Sequence, residues 1–264
     1  MEKDHTIVEL SRFAVDFIKG AGDSALSLYG KGDKGKKFDE NLVTEAELLL
    51  NDRFESGLHE RFPEHQMFMN NQDEREYSHE ENRYLWVFDA LDGVANFQAG
   101  IPIWGMSIAV LENFWPVYGL FFMPATGDLF HAQAGKKAHW GDVEIDQSAF
   151  NDINNESLLF TYSRFHQHYR CSFPGKIRDL GCTGAHLCYA ATGRAEGAII
   201  ANESYKGLAA AGLIIEAAGL KMRKMDGTGI SLNEYLNGDK IDGHLLVSAS
   251  ETYRQIRQHL IEIR

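Results

Sequence analysis

The sequence predicts a fold of the α+β class, in which helices and a run of antiparallel strands are partly segregated along the chain. Three observations predict it. Residues 4 to 30 carry apolar positions at helical spacing. From Tyr84 the pattern changes to short apolar runs separated by turn residues. Beyond residue 150, short apolar strands alternate with helical stretches rich in alanine and glycine.

Each element follows in order. The first helix ends near Gly30, and the Gly/Lys stretch Lys31 to Lys37 reads as a solvated loop. A second helix is predicted to start after Thr44, because Thr44 is followed three residues later by Glu47 in the capping-box pattern. The runs LWVFD, WGMSIAVLE, VYGLFFMP and DLFHAQAG, with turns at ENFWP and ATGD, predict an antiparallel meander. The polar stretch NDINNES marks a boundary near residue 150, dividing the chain into halves 1–150 and 151–264 that are expected to pack as one unit. In the second half LLFTYSR reads as a strand, RDLGCTGAHLCYAATGRA as a glycine-opened helix and GAIIA as a short strand. GLAAAGLIIEAAGL reads as a helix ending at Gly219, HLLVSAS as the last strand, and ETYRQIRQHLIEIR as a last helix capped by Ser250.

At 264 residues and 44% hydrophobic content the chain can fill a sizeable core. A net charge of −12 argues against general nucleic-acid binding, which needs clustered Lys and Arg. No apolar run has the length of a membrane span, and the acidic N-terminal residues do not fit a signal peptide. Cys171, Cys182 and Cys188 form neither a CxxC pair nor an even-numbered disulfide framework, so a reducing, cytoplasmic setting is expected.

The stretch Leu85 to Phe97, LWVFDALDGVANF, delivers Asp89 and Asp92 into an apolar run with no basic residue beside them. A buried carboxylate is costly unless it is paired, hydrogen-bonded or bound to a metal. Asp89 and Asp92 therefore either hold a cation or form a hydrogen-bonded turn in which Asp92 caps the segment that follows. The glycines of GCTGAH either present amides to an anion at a helix N-terminus or simply cap that helix. His166 and His168 alternate as on one face of a strand and read as a solvated pair; Trp104, Trp115, Phe121 and Phe122 read as core or dimer contacts.

The segment from Leu85 to Asp142 resembles the centre of the inositol monophosphatase family, whose signature is D-P-[IL]-D-G-T-x-N-F followed by a P-x-x-x-x-S-I strand. NLVTEAE is similar to the family's D-L-V-T-x-x-D, FPEHQMFMNN to F-P-x-H-x-[FI]-[IL]-G-E-E, GCTGAHLCYAATGRAEG to G-S-A-A-x-x-L-C-x-V-A-x-G, and GLAAAGLIIEAAG to the segment beginning W-D-x-A-A-G. The resemblance covers most of the chain in the family's order. It implies a layered α/β/α/β/α fold, a homodimer, and the chemistry of Mg²⁺-dependent, Li⁺-sensitive phosphomonoesterases. Such chemistry needs several hard carboxylate oxygens aimed at one point, because Mg²⁺ neutralises the phosphate, stabilises the leaving alkoxide and activates water.

Carried over position by position, the resemblance is incomplete. Asp89 and Asp92 match the two signature aspartates, and Leu91 matches the residue whose carbonyl is a further metal ligand. The glycines and small residues Gly93, Gly181, Cys182 and Thr183 match substrate-facing positions. Asn70 replaces the carboxylate that binds metal and steers water, Val94 replaces the hydroxyl of D-G-T, and Gly207 holds the place of the W-D aspartate. Asn41 and Glu47 replace two aspartates of the first motif, and Ile200 falls where a substrate-holding glutamate stands. Glu203 and Asp73 are poor stand-ins: Asp73 lies past its motif, and Glu203 precedes the helix that carries the family ligand. Lys206 offers an ammonium that could replace a cation.

Two functions are compatible with this pattern. One is a degenerate member that binds a small phosphorylated molecule or a protein partner with little hydrolysis, with Mg²⁺ weak or absent. The other is an active Mg²⁺-dependent phosphomonoesterase on inositol monophosphate or a related polyol or sugar phosphate. The losses at Asn70, Val94 and Gly207 favour the first.

Overall fold

Thr6 opens the first helix, α1 (Ile7–Leu26), through a reciprocal capping box in which its hydroxyl accepts the Glu9 amide and the Glu9 carboxylate accepts the Thr6 amide. Two amides that a helix start leaves free are thereby satisfied, at a gain of about 1 kcal/mol. The structure is a computed structural model describing residues 6–33, 35–36, 38–68, 83–146 and 152–263. Leu10, Ala14, Ile18, Ala21 and Ala25 recur about one turn apart and are buried, so α1 lays one apolar stripe on the molecule. The second helix, α2 (Glu40–Arg61), starts four residues before Thr44, with Asp39 as its N-cap residue. Thr44 and Glu47 therefore lie inside a helix, and the box predicted there does not form its start.

The first sheet runs β1 (Gln66–Met67), β2 (Tyr84–Asp92), then, after the short helix α3 (Val94–Ala99), β3 (Gly105–Glu112), β4 (Trp115–Met123), β5 (Asp128–Gln133), β6 (His139–Trp140) and β7 (Val143–Glu144), each pairing with the next. Only the β1–β2 pair is parallel; the predicted meander is antiparallel throughout. Asn113 and Phe114 turn the β3–β4 hairpin with φ of +50° and +66°, the left-handed pair that matches strand twist. Trp115, next to it, is 68% exposed, so it is not a core residue, whereas Trp104 and Phe121 are buried.

The second half begins with β8 (Leu158–Phe160), α4 (Phe165–His168) and β9 (Tyr169–Cys171). His166 and His168 thus lie on a short helix and not on one face of a strand; His168 meets the Tyr162 hydroxyl at 2.9 Å. Then follow β10 (Lys176–Arg178), α5 (Thr183–Ala191), β11 (Gly197–Ala201), α6 (Tyr205–Ala217), β12 (Lys221–Lys224), β13 (His244–Ser248), α7 (Ser250–Arg257) and β14 (Leu260–Glu262). Ser250 is the first residue of α7 and Ala249 its N-cap, and the chain after α7 forms a strand that pairs with β9, where a continued helix was predicted. The second sheet has the order β10-β8-β11-β13-β12. Residues 147–151, where the boundary was expected, lie outside the described residues.

Alternation along β2 builds the layers. Trp86 and Phe88 pack with α1 and α2, while Leu85 and Val87 pack with Tyr205, Ala209 and Ala210 of α6. One face of the second sheet, with Ala198, Ile200, Leu245 and Val247, packs on α5 and α6; the other, with Leu159, Ile199 and Leu246, packs on Phe165 and Ile256. The result is the α/β/α/β/α stack. β4 and α6 approach so closely at Gly119 that a Cβ there would meet the Ala210 carbonyl at 2.8 Å.

Candidate functional site

The period-2 pattern that sends Leu85 and Val87 toward α6 sends Asp89 the same way. A bulge in the β2–β3 pairing between Asp89 and Asp92 then inserts one extra residue and re-aims the end of the strand. Leu91 lies within that bulge with its side chain buried. Gly93, next in line, takes φ +84°, and a Cβ on it would meet the Ile103 carbonyl at 3.0 Å, Cys182 Cβ at 3.1 Å and the Gly181 carbonyl at 3.2 Å. The structure thus brings Gly93, Gly181 and Cys182 into contact. Asn96 of α3 holds the junction: its amide donates to the carbonyls of Ile103 at 2.6 Å and Leu180 at 2.7 Å. Asn96 was not singled out from the sequence, although it stands within the quoted LWVFDALDGVANF.

Asp92 does not cap the helix that follows it. Its Oδ1 accepts the Thr183 amide at 3.2 Å and its Oδ2 the Gly184 amide at 2.5 Å. Both amides belong to the first turn of α5, whose N-cap, Cys182, supplies no side-chain bond. The carboxylate complements the positive end of that helix. The anion received by GCTGAH in this structure is therefore Asp92.

Thr183 uses its hydroxyl elsewhere, donating to Glu203 Oε1 at 2.6 Å. Glu203 does reach the site from before α6, contrary to the sequence expectation. A Cβ built on Gly207 would lie 3.2 Å from Glu203 Oε2 and 3.8 Å from Asp89 Oδ2. What the sequence obscured was the room: an absent side chain at 207 admits a carboxylate from a turn earlier. Val94 is the first residue of α3, partly buried, and packs on the apolar cluster beneath α1 and α2. Asn70, with Met69, Asn71 and Asp73, lies outside the described residues.

The acids repel one another. Burial raises Asp89, and the Lys206 ammonium draws it partly back. Burial and the charge of Asp89 push Asp92 up to about 6, against the pull of the α5 amides. Glu203 is pushed up to about 7 by burial first and by Asp92 next, with the Thr183 hydroxyl opposing. Glu47 of α2 is raised by burial, lowered by Lys206 and raised by Asp89, which places it in the same field. Burial also raises the Cys182 thiol, and Asp92 adds to it.

Among the described residues no three Asp, Glu, His or Cys side chains are grouped closely enough to hold a metal ion. Mg²⁺, however, commonly takes one or two carboxylates and completes its shell with water and phosphate oxygens. Near Gly207 two such carboxylate oxygens, Glu203 Oε2 and Asp89 Oδ2, come within 4 Å of the position a Cβ would take, and no fuller protein cage is formed among the described residues.

A model of the inositol monophosphatase family matches residues 7–262. The histidinol-phosphatase of Chlorobaculum parvum is 27% identical over 218 residues, covering 79% of this chain and 83% of that protein. The Nus factor SuhB of Xylella fastidiosa is 31% identical over 148 residues, covering 52% of this chain and 54% of that protein. Among solved structures, the IMPase of Thermotoga maritima superposes with a TM-score of 0.76 at 19% identity over 95% of this chain and 96% of that one, a likeness of fold. No described helix is long and apolar enough to cross a membrane.

Proposed function

The chain belongs to the inositol monophosphatase family, and from that premise we propose that it binds a small phosphorylated molecule, a polyol or sugar phosphate, with hydrolysis weak or lost. The observation that carries this reading is the pairing of Val94 and Gly207: neither position brings a polar side chain to a site that still holds Asp89, Asp92 and Glu203. When bound, one Mg²⁺ would neutralise phosphate oxygens. Asp89, with the Leu91 carbonyl and Glu203 as candidates beside it, would hold that ion. Asp92 fixes the first turn of α5, so Gly181, Cys182 and Thr183 stand at a set distance from the end of β2. Thr183 donates its hydroxyl hydrogen to Glu203 and so orients that carboxyl. Without a positioned acid or base, about 10²–10⁴ in rate is forfeited.

The second reading, an active phosphomonoesterase, draws support from the return of a carboxylate through Glu203. Phosphate release and thermal shift, measured side by side with inositol 1-phosphate, histidinol phosphate, fructose 1,6-bisphosphate and adenosine 3′,5′-bisphosphate, separate the two. We expect at least one compound to raise the melting temperature in millimolar Mg²⁺ without turnover above an Asp89→Asn control. Mg²⁺-dependent turnover that disappears in that control would establish the active reading instead.

A further inference from the structure

Gly207 leaves a position near which the other heavy atoms are two carboxylate oxygens, Glu203 Oε2 at 3.2 Å and Asp89 Oδ2 at 3.8 Å from where a Cβ would stand. Three elements place Glu203 there. Its carbonyl accepts the Ile241 amide at 2.8 Å, and the next residue, Ser204, is bridged to Lys240 and caps α6 by accepting the Gly207 amide. Its carboxyl is then steered by the Thr183 hydroxyl of α5 at 2.6 Å. Glu203 stands one residue before the N-cap of α6, and its carboxylate reaches back beside Gly207 in the first turn of that helix.

We infer that Glu203 has taken over the place of the carboxylate missing at position 207 and, with Asp89, holds one divalent cation, while Asp92 stays on the amides of α5. This rests on the family reading above and adds to it a ligand from a position outside the motifs matched in the sequence. The geometry separates the three acids. Asp92 has an amide on each oxygen, whereas Glu203 Oε2 and Asp89 Oδ2 face the open position. Gly207 gives the Glu203 carboxyl its space: a Cβ at 207 would stand 3.2 Å from Oε2.

Mn²⁺ binding, followed by water-proton relaxation and calorimetry on the full chain, tests the assignment without reference to turnover. Four proteins are compared: wild type, Glu203→Gln, Asp89→Asn, and the double variant Glu203→Ala/Gly207→Asp. Loss of a ligand is expected to weaken Mn²⁺ binding by at least about tenfold in both single variants. The double variant, with a carboxylate returned to 207 and the competing charge removed, is expected to regain most of that affinity. Wild-type affinity in folded Glu203→Gln, with loss in Asp89→Asn, overturns the role of Glu203 and leaves the family reading standing. No Mn²⁺ binding by wild type at millimolar concentration overturns both.

Discussion

His186 is a histidine held neutral by its place in α5. Its ring is 2% exposed and stacks on Phe160 at 5.3 Å; its Nε2 accepts the Leu180 amide at 2.8 Å. An acceptor at Nε2 puts the proton on Nδ1, which is buried without a hydrogen-bond partner among the described residues. Charging the ring would make Nε2 a donor facing a donor. Burial accordingly lowers its pKa to about 4, against the pull of Asp179. The unfolded chain takes up that proton near pH 6.5, so the folded state keeps the full benefit above pH 6.5 and loses it as pH falls toward 4, by about 3 kcal/mol. The site carboxylates shift the other way, so the test is a difference. Between pH 7 and 4.5, denaturant unfolding is expected to show wild type losing more stability than His186→Gln, whose amide oxygen can still accept from Leu180. Parallel profiles would contradict it. The same residue was unremarkable in the sequence: nothing in GCTGAH distinguishes a helix histidine that pins the preceding loop from one that merely fills space.

At the scale of elements, what could be read from the sequence was what local pattern determines. The meander of β2 to β5 was legible because apolar runs and turn residues alternate there. The start of α2 was misread because a Thr-x-x-Glu pattern also fits a helix interior, while the true start, at Asp39, makes no side-chain cap of its own: that carboxylate instead accepts the Asp33 amide at 3.0 Å. The final strand β14 was hidden because its partner, β9, lies far away in sequence, and pairing with it decides the conformation. Within the site, a turn after β2 was legible in DALDG, but neither its left-handed glycine nor the contacts that require one were. Gly93→Ala adds a Cβ both at φ +84° and at 3.0 Å from the Ile103 carbonyl. Denaturation is expected to find the variant destabilised by about 1–3 kcal/mol; an alanine tolerated without cost would refute the tight junction between α3, Gly181 and Cys182.

On the scale of the whole molecule, the candidate site forms where three elements end together: β2 at Asp92, α5 at Thr183 and α6 at Ser204. The shared middle layer of α5 and α6 makes this possible, since both helices pack between the two sheets and against each other. The family's fold could therefore be recognised from motifs in order, while the destination of Asp92 and Glu203 could not, because each depends on a contact from a distant part of the chain, 91 residues in the first case and 20 in the second. On the proposed function the scaffold gathers a phosphate-binding, cation-holding site that has an amide at position 70 and methyl groups at position 94 where the family motif carries a carboxylate and a hydroxyl. Gly207→Asp alone sets a second carboxylate against Glu203, whose Oε2 lies 3.2 Å from the new Cβ.

The most direct measurement is phosphate release from inositol 1-phosphate in millimolar Mg²⁺ by wild type and by Asn70→Glu/Val94→Thr, which restores the carboxylate and the hydroxyl and leaves Glu203 in place. A gain of at least about 10²-fold is expected in the double variant, the lower end of what an acid-base group supplies. Equal rates in the two proteins, whether both inert while folded or both fast, would contradict it.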